Sequence, residues 1–204
     1  MIVPAERKPI PGTLISHSKL LLAEGNTPAH FFEAFCKHLG IDKTIEIRNY
    51  GGINDLPAFL RTLVAGPDFK SNVQSLVVAR DAEDDAGKSK KSVETLIGTL
   101  KLGPSVKTQV LILPTEINQG MIETLCLSSV VDKPHYQCIN EFVACVESKG
   151  VQLPAGYRRD KHLAQLYLAT HDEPQMFPGI AAYQHVWPFD HPAFDRVKSL
   201  LLSI

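Results

Sequence analysis

The sequence predicts an α/β fold: a compact, Rossmann-like parallel sheet flanked by helices, with a mainly helical C-terminal extension. Three observations point there. Short apolar runs at 19–24, 75–80 and 108–113 have the length and continuity of strands buried on both faces. Helical patterns alternate with them, which favours parallel strands joined by crossover helices. Strand signals then stop after Gly120, and only helical patterns follow.

Taken in order, residues 1–18 contain Pro4, Pro9, Pro11 and Gly12 with weak periodicity and read as an N-terminal arm. The first strand, 19–24, stops at Gly25. Thr27 is the expected cap of a helix with Pro28 at its first position, where a missing N–H costs nothing. Phe31, Phe32, Phe35, Cys36 and Leu39 then recur at helical spacing up to Gly40. A second unit follows: a strand at 44–49 with Ile45 and Ile47 on one face, a break at Gly51-Gly52, and a helix over 56–64. The strand at 75–80 leads to a helix striped by Val93, Leu96, Ile97 and Leu100, and the strand at 108–113 ends at Pro114. The core is therefore expected over 19–130, with 131–204 as a helical extension packed on it. Helices are expected over 121–128, 137–148, 158–170 and 191–202, and the segment between the last two is rich in proline and aromatics.

The charge balance narrows the function. Of 204 residues, 21 are Lys or Arg and 22 Asp or Glu, a formal net charge of −1, so no long-range positive field coats nucleic acid and any such contact is local. No apolar run approaches the roughly 20 residues of a membrane span, and the N-terminal residues lack the apolar region of a secretory signal. Four scattered cysteines without a C-x-x-C pair read as reduced thiols. A cytoplasmic protein without membrane contact is the expectation.

In an open parallel sheet, ligands bind beyond the carboxyl ends of the strands. Glu24-Gly25 follows the first strand, and Asp81-Ala-Glu83-Asp-Asp85 follows the third. Carboxylates at strand ends of one sheet suit a hard divalent cation, and a cation offsets the repulsion among acids this close in sequence. Asp81 and Glu83, at i and i+2, are expected to leave the strand on the same side. Glu24, Asp81, Glu83 and Asp85 are thus candidate metal ligands.

These residues resemble the Toprim domain shared by topoisomerases, bacterial primases and the overcoming-lysogenization-defect nucleases, and most closely a small Toprim-like branch near the nucleases. Leu20-Leu-Leu-Ala-Glu24-Gly25 is similar to its first motif, and Val77-Val-Ala-Arg-Asp81-Ala-Glu83 to its Asp-x-Asp strand end, with Glu for the final Asp. Tyr50-Gly51-Gly52 resembles the short glycine step of the family. Where the family often has an acid three residues past the motif glycine, this chain has Pro28. The resemblance spans about 19–128 and implies phosphodiester chemistry with Mg²⁺ or Mn²⁺. It implies Glu123 as a further metal ligand and Lys161 as a catalytic cation beside Glu24, Asp81 and Glu83, with Arg158 and Arg159 holding the nucleic-acid backbone.

The same residues admit other readings. Residues 82–89, Ala-Glu-Asp-Asp-Ala-Gly-Lys-Ser, fit a relaxed phosphate-binding loop, but three acids around a triphosphate and Ala in place of the first glycine argue against it. No zinc signature and no G-x-S-x-G elbow occurs. The alternatives to a nuclease are a non-catalytic module docking a partner such as an ATPase, and a hydrolase of small phosphoesters.

Overall fold

The computed structural model describes residues 14–100, 102–115 and 117–204, so most of the expected arm, 1–13, lies outside the described residues. Four strands, β1 (Lys19–Ala23), β2 (Ile45–Asn49), β3 (Ser75–Asp81) and β4 (Lys107–Leu113), form one sheet in the order β2-β1-β3-β4. Every ladder is parallel, with Leu21 level with Ile47 and Val77, and Val78 level with Val110. The crossovers are α1 (Asn26–His38), α2 (Leu56–Ala65) with α3 (Pro67–Asn72), and α4 (Ala86–Thr99). The C-terminal part is helical: α5 (Ile122–Ser128), α6 (Pro134–Ser148), α7 (Tyr157–Ala169), α8 (Pro178–Tyr183), a 3₁₀ turn (Pro192–Phe194) and α9 (Asp195–Ser203).

Strand alternation divides the interior into two cores. Leu21 and Ala23 of β1 and Val77 and Ala79 of β3 face one cluster, which also holds the α1 phenylalanines and side chains of α5 to α9. Leu20, Leu22, Leu76 and Val78 face the other, with Tyr50, Phe59, Leu60 and Val93 from β2's end, α2 and α4. Because side chains alternate along a strand, neighbours on β3 are delivered to opposite cores. This decides where the acids at its carboxyl end go.

The boundaries depart from expectation in three places. Helix α1 begins at Asn26, with Gly25 at φ 83 as its cap residue, because glycine enters that left-handed turn without strain. Thr27 and Pro28 are thereby placed inside the first turn. Short helices α3 and α8 each start at a proline, Pro67 and Pro178, in segments whose proline content reads as loop. The last helix is split: His191 Nδ1 accepts from Ala193 N (3.1 Å) to open a 3₁₀ turn before α9. No helix among the described residues is long and apolar enough to cross a membrane.

The aromatic segment before α9 is a cover. Trp187 is buried, donates from Nε1 to Pro178 O (2.9 Å) and stacks on Tyr167, while Phe189 packs against Phe31 and Phe35. Helix α8 lies so close to α1 that a Cβ on Gly179 would fall 2.2 Å from Thr27 O.

Candidate active site

The carboxyl ends of β1 and β3 lie side by side at the middle of the sheet, so Glu24 and Asp81 open onto the same end. Asp81 is the last residue of β3 and continues the alternation of Val77 and Ala79, which directs it toward α5. There its Oδ1 accepts from Ile122 N (3.0 Å) in the first turn of α5. Burial pushes its carboxyl well above the ordinary range; the Glu123 and Glu24 carboxylates push it further, while the Ile122 N–H and the Lys161 ammonium act the other way.

Glu123, in the first turn of α5, is raised by burial and drawn down by its own backbone N–H and by Lys161. Lys161, exposed on α7, therefore acts on both acids. The helices carrying Glu123 and Lys161 are tied together, since Thr124 Oγ1 donates to Asp160 Oδ2 (2.5 Å). Glu24, Asp81, Glu123 and Lys161 thus share one electrostatic neighbourhood.

Glu24 leans the other way, toward the α4 face. The Tyr50 hydroxyl donates toward Ala79 O (3.2 Å) and Glu24 Oε2 (3.4 Å), and burial beside Glu24 raises that phenol, so it remains a donor. Arg80 Nε stands 3.8 Å from the same carboxylate oxygen. Burial raises the Glu24 carboxyl, Arg80 lowers it, and Glu83 raises it again.

Two expectations are corrected. Glu83 does not leave the strand on the side of Asp81, because its backbone turns to φ 54 where it bridges Gly120 (Glu83 N to Gly120 O, 2.8 Å). Its carboxylate instead meets Arg80 Nη2 at 3.4 Å. Asp85 is the N-cap of α4: its Oδ1 accepts from Lys88 N (2.9 Å), which lowers its carboxyl, and Lys88 Nζ lies 3.5 Å from Oδ2. Of the two arginines expected to hold a backbone, Arg159 forms a bidentate pair with Glu147 (2.5 and 3.1 Å), while Arg158 is exposed beside Tyr157.

Among the described residues no group of three or more His, Cys, Asp or Glu side chains is arranged to hold a metal ion as it stands. The reason is visible in the contacts: Asp81 is hydrogen-bonded toward α5, while Glu83 is bonded to Arg80 and Glu24 lies 3.8 Å from the same guanidinium. The donor chemistry still fits a hard cation, since Glu24 and Glu123 are carboxylates that both act on the Asp81 carboxyl. Arg80 and Tyr50 are the partners that motif reading overlooks. The signal for Arg80 is a charge closing the apolar run Leu76-Val-Val-Ala79, on a strand otherwise buried on both faces.

Fold and site together define a parallel-sheet α/β protein with an acidic cleft at the carboxyl ends of its central strands. The chain belongs to the family described as "Protein of unknown function (DUF3226)", whose model matches residues 18–204. No curated protein and no solved structure matches it.

Proposed function

We propose that the protein is a Toprim-like, Mg²⁺-dependent phosphodiesterase of the nuclease type. Its setting is the cytoplasm and its substrate nucleic acid, and it works alone or as the nuclease subunit beside a partner such as an ATPase. The observation that supports this reading is the convergence on Asp81, hydrogen-bonded to the first turn of α5 at the carboxyl end of the sheet, of the Glu24 and Glu123 carboxylates and the Lys161 ammonium. Partly buried, like-charged acids with raised carboxyls beside a lysine are the kind of cluster found where charge chemistry is done.

Glu24, Asp81 and Glu123 are the residues that would hold the ion, with Glu83 once it leaves Arg80. Bound Mg²⁺ supplies polarisation of the phosphoryl oxygen and an activated water. The chain's own groups do the rest. Lys161, reaching both Asp81 and Glu123 electrostatically, balances charge that accumulates on the phosphate in the transition state. Arg158, exposed at the start of α7, is the backbone contact, and the Tyr50 hydroxyl keeps Glu24 oriented.

The test is cleavage of supercoiled plasmid, single-stranded DNA, RNA and bis-p-nitrophenyl phosphate with Mg²⁺ or Mn²⁺. Hydrolysis that falls by about 100-fold or more in Asp81→Ala is the expected result. Intact substrates with either ion, or an Asp81→Ala rate equal to that of the wild type, sink the catalytic reading. A small phosphoester is the second reading, favoured because Arg159 is occupied by Glu147 and so leaves less free positive charge beside the acids. Hydrolysis confined to the small diester, with polymers untouched, selects it.

A further inference from the structure

We propose that Arg80 is a positioning residue that serves as the built-in counter-cation of the acidic cleft, and that it must release Glu24 before a divalent cation is bound. This rests on the metal-dependent reading above, and it concerns how that site is kept when no ion is present.

Arg80 is an unusual residue for its place. Its exposure is 8%, and it stands on a strand whose other inward positions are Leu, Val and Ala. A guanidinium is always charged and brings five N–H donors in a rigid fork, so its burial demands partners. Nη1 finds Ser92 Oγ (2.8 Å) and, more distantly, Ser89 O (3.5 Å), both on α4. Nη2 finds Glu83 (3.4 Å). Nε faces Glu24 at 3.8 Å, beyond hydrogen-bonding range, and has no hydrogen-bond partner among the described residues.

The guanidinium is therefore anchored on one edge by α4 and held to both glutamates only loosely on the other. No hydrogen bond joins Arg80 to Glu24; the Glu24 carboxylate is met instead by the Tyr50 hydroxyl and by the backbone N–H groups of Asp81 and Ile53, and only charge ties it to the guanidinium. An N–H buried without a bond has a cost, and a contact of that kind yields readily to a stronger competitor. A divalent cation is such a competitor, since it offers twice the charge and direct coordination to the carboxylate. Arg80 and Glu83 also line a cleft of about 430 Å³ that reaches Ile53, Asp84 and Lys88, so the Arg80–Glu83 contact can be approached from outside. The arrangement explains why the acids on β1 and β3 are split between two faces of the sheet although their strands are adjacent. Asp81 faces α5, whereas Arg80, one residue earlier on the alternating strand, meets Glu83 on the α4 face, to which Glu24 is delivered by the alternation of Leu20 and Leu22.

The consequence is a trade between stability without the ion and affinity for it. Removing the guanidinium charge leaves the carboxylates without compensation, so the empty protein loses stability and the cation binds more tightly. The experiment is calorimetric titration of the full chain with MnCl₂ alone, no substrate being present, for the wild type, Arg80→Gln, Ser92→Ala and Asp81→Asn. Removal of a unit charge about 4 Å from a ligand carboxylate is expected to tighten Mn²⁺ binding in Arg80→Gln by about tenfold or more. Ser92 is exposed, so Ser92→Ala leaves the fold intact while loosening the anchor, and it shifts affinity less but in the same direction. If Arg80→Gln fails to fold by circular dichroism, Ser92→Ala decides. Mn²⁺ binding that is lost in Asp81→Asn but unchanged or weaker in Arg80→Gln and Ser92→Ala overturns the role of Arg80 and leaves the metal reading intact. Binding that is equal in wild type and Asp81→Asn, or no binding by any of the proteins, overturns both.

Discussion

At the scale of single residues, the site is governed by the cost of burying charge. Asp81 is partly buried, faces two other carboxylates, and is compensated by one N–H of α5 and by Lys161 at its edge. A carboxyl whose folded pKa is raised contributes stability when protonated and loses it as pH rises through the folded value. The unfolded chain titrates near the ordinary values, 3.8 for Asp81 and 4.5 for Glu24 and Glu123, and all three are raised in the fold. Stability should therefore decline as pH climbs from about 4 toward neutrality, in the absence of divalent ions. Asp81→Asn removes the largest of these buried charges while keeping an oxygen that accepts from Ile122. It should raise Tm at pH 7, by about 2–4 °C for each kcal/mol gained, and the gain should shrink toward pH 4. Scanning calorimetry at the two pH values checks this, and a Tm lowered by the substitution at pH 7 contradicts it. Glu24 and Asp81 are legible in the sequence because each follows an apolar run, so the strand that ends there is itself the signal. The placement of Glu83 is not, since it depends on a non-glycine residue adopting φ 54 where it pairs with Gly120. Nor is that of Asp85, since an acid that caps the next helix and an acid that faces the cleft look alike in a run of acids. Glu123 and Lys161 enter only through the resemblance, because a Glu and a Lys on helices carry no spacing of their own, and their proximity is made by the packing of α5 on α7.

At the scale of elements, the strands and the long helices follow from periodicity, and what escapes is set by glycine and proline. Helices α3 and α8 are six residues each and begin at Pro67 and Pro178. Too short to show a hydrophobic stripe, they exist because proline pre-sets the first helical φ and tertiary packing supplies the rest. For α8 that packing is a close crossing on α1, where Gly179 meets the backbone at Thr27 and Trp187 donates to Pro178 O. A side chain at 179 has nowhere to go, since the atom it strikes is a main-chain oxygen. Gly179→Ala should therefore cost about 1–3 kcal/mol, the usual range for overpacking, and lower Tm accordingly. Ala at Gly98, where nothing lies within 4 Å of the added Cβ, is the matched control and should be neutral or stabilising. Thermal denaturation of the pair checks the crossing, and equal Tm values would show that α8 can be displaced at no cost.

At the scale of the whole molecule, the question is how the helical C-terminal part relates to the sheet. One buried cluster answers it: Phe31, Phe32 and Phe35 of α1 and Leu21 and Val77 of the sheet share a core with Leu163 and Tyr167 of α7, with Trp187, Phe189 and Phe194, and with Val197 and Leu201 of α9. Phe31 and Phe35 each contact Phe189 and Phe194 directly, with ring centres 4.9 to 5.8 Å apart. A fully buried Phe contributes about 1.5–3 kcal/mol, and a folded protein's whole margin is about 5–15 kcal/mol. Uncovering the aromatic face of α1 while deleting its partners therefore removes an amount comparable with that margin. The same packing brings Lys161 to the acids, so site and stability depend on one interface. The full chain is expected to unfold in a single calorimetric transition, with van't Hoff and calorimetric enthalpies in agreement. A chain ending at residue 130 is expected to lack a cooperative transition and to bind a hydrophobic dye. Two resolved transitions in the full chain, or a cooperatively folding 1–130 fragment, would show instead that the sheet and its own crossover helices suffice, and that the C-terminal helices are a separable addition to the site.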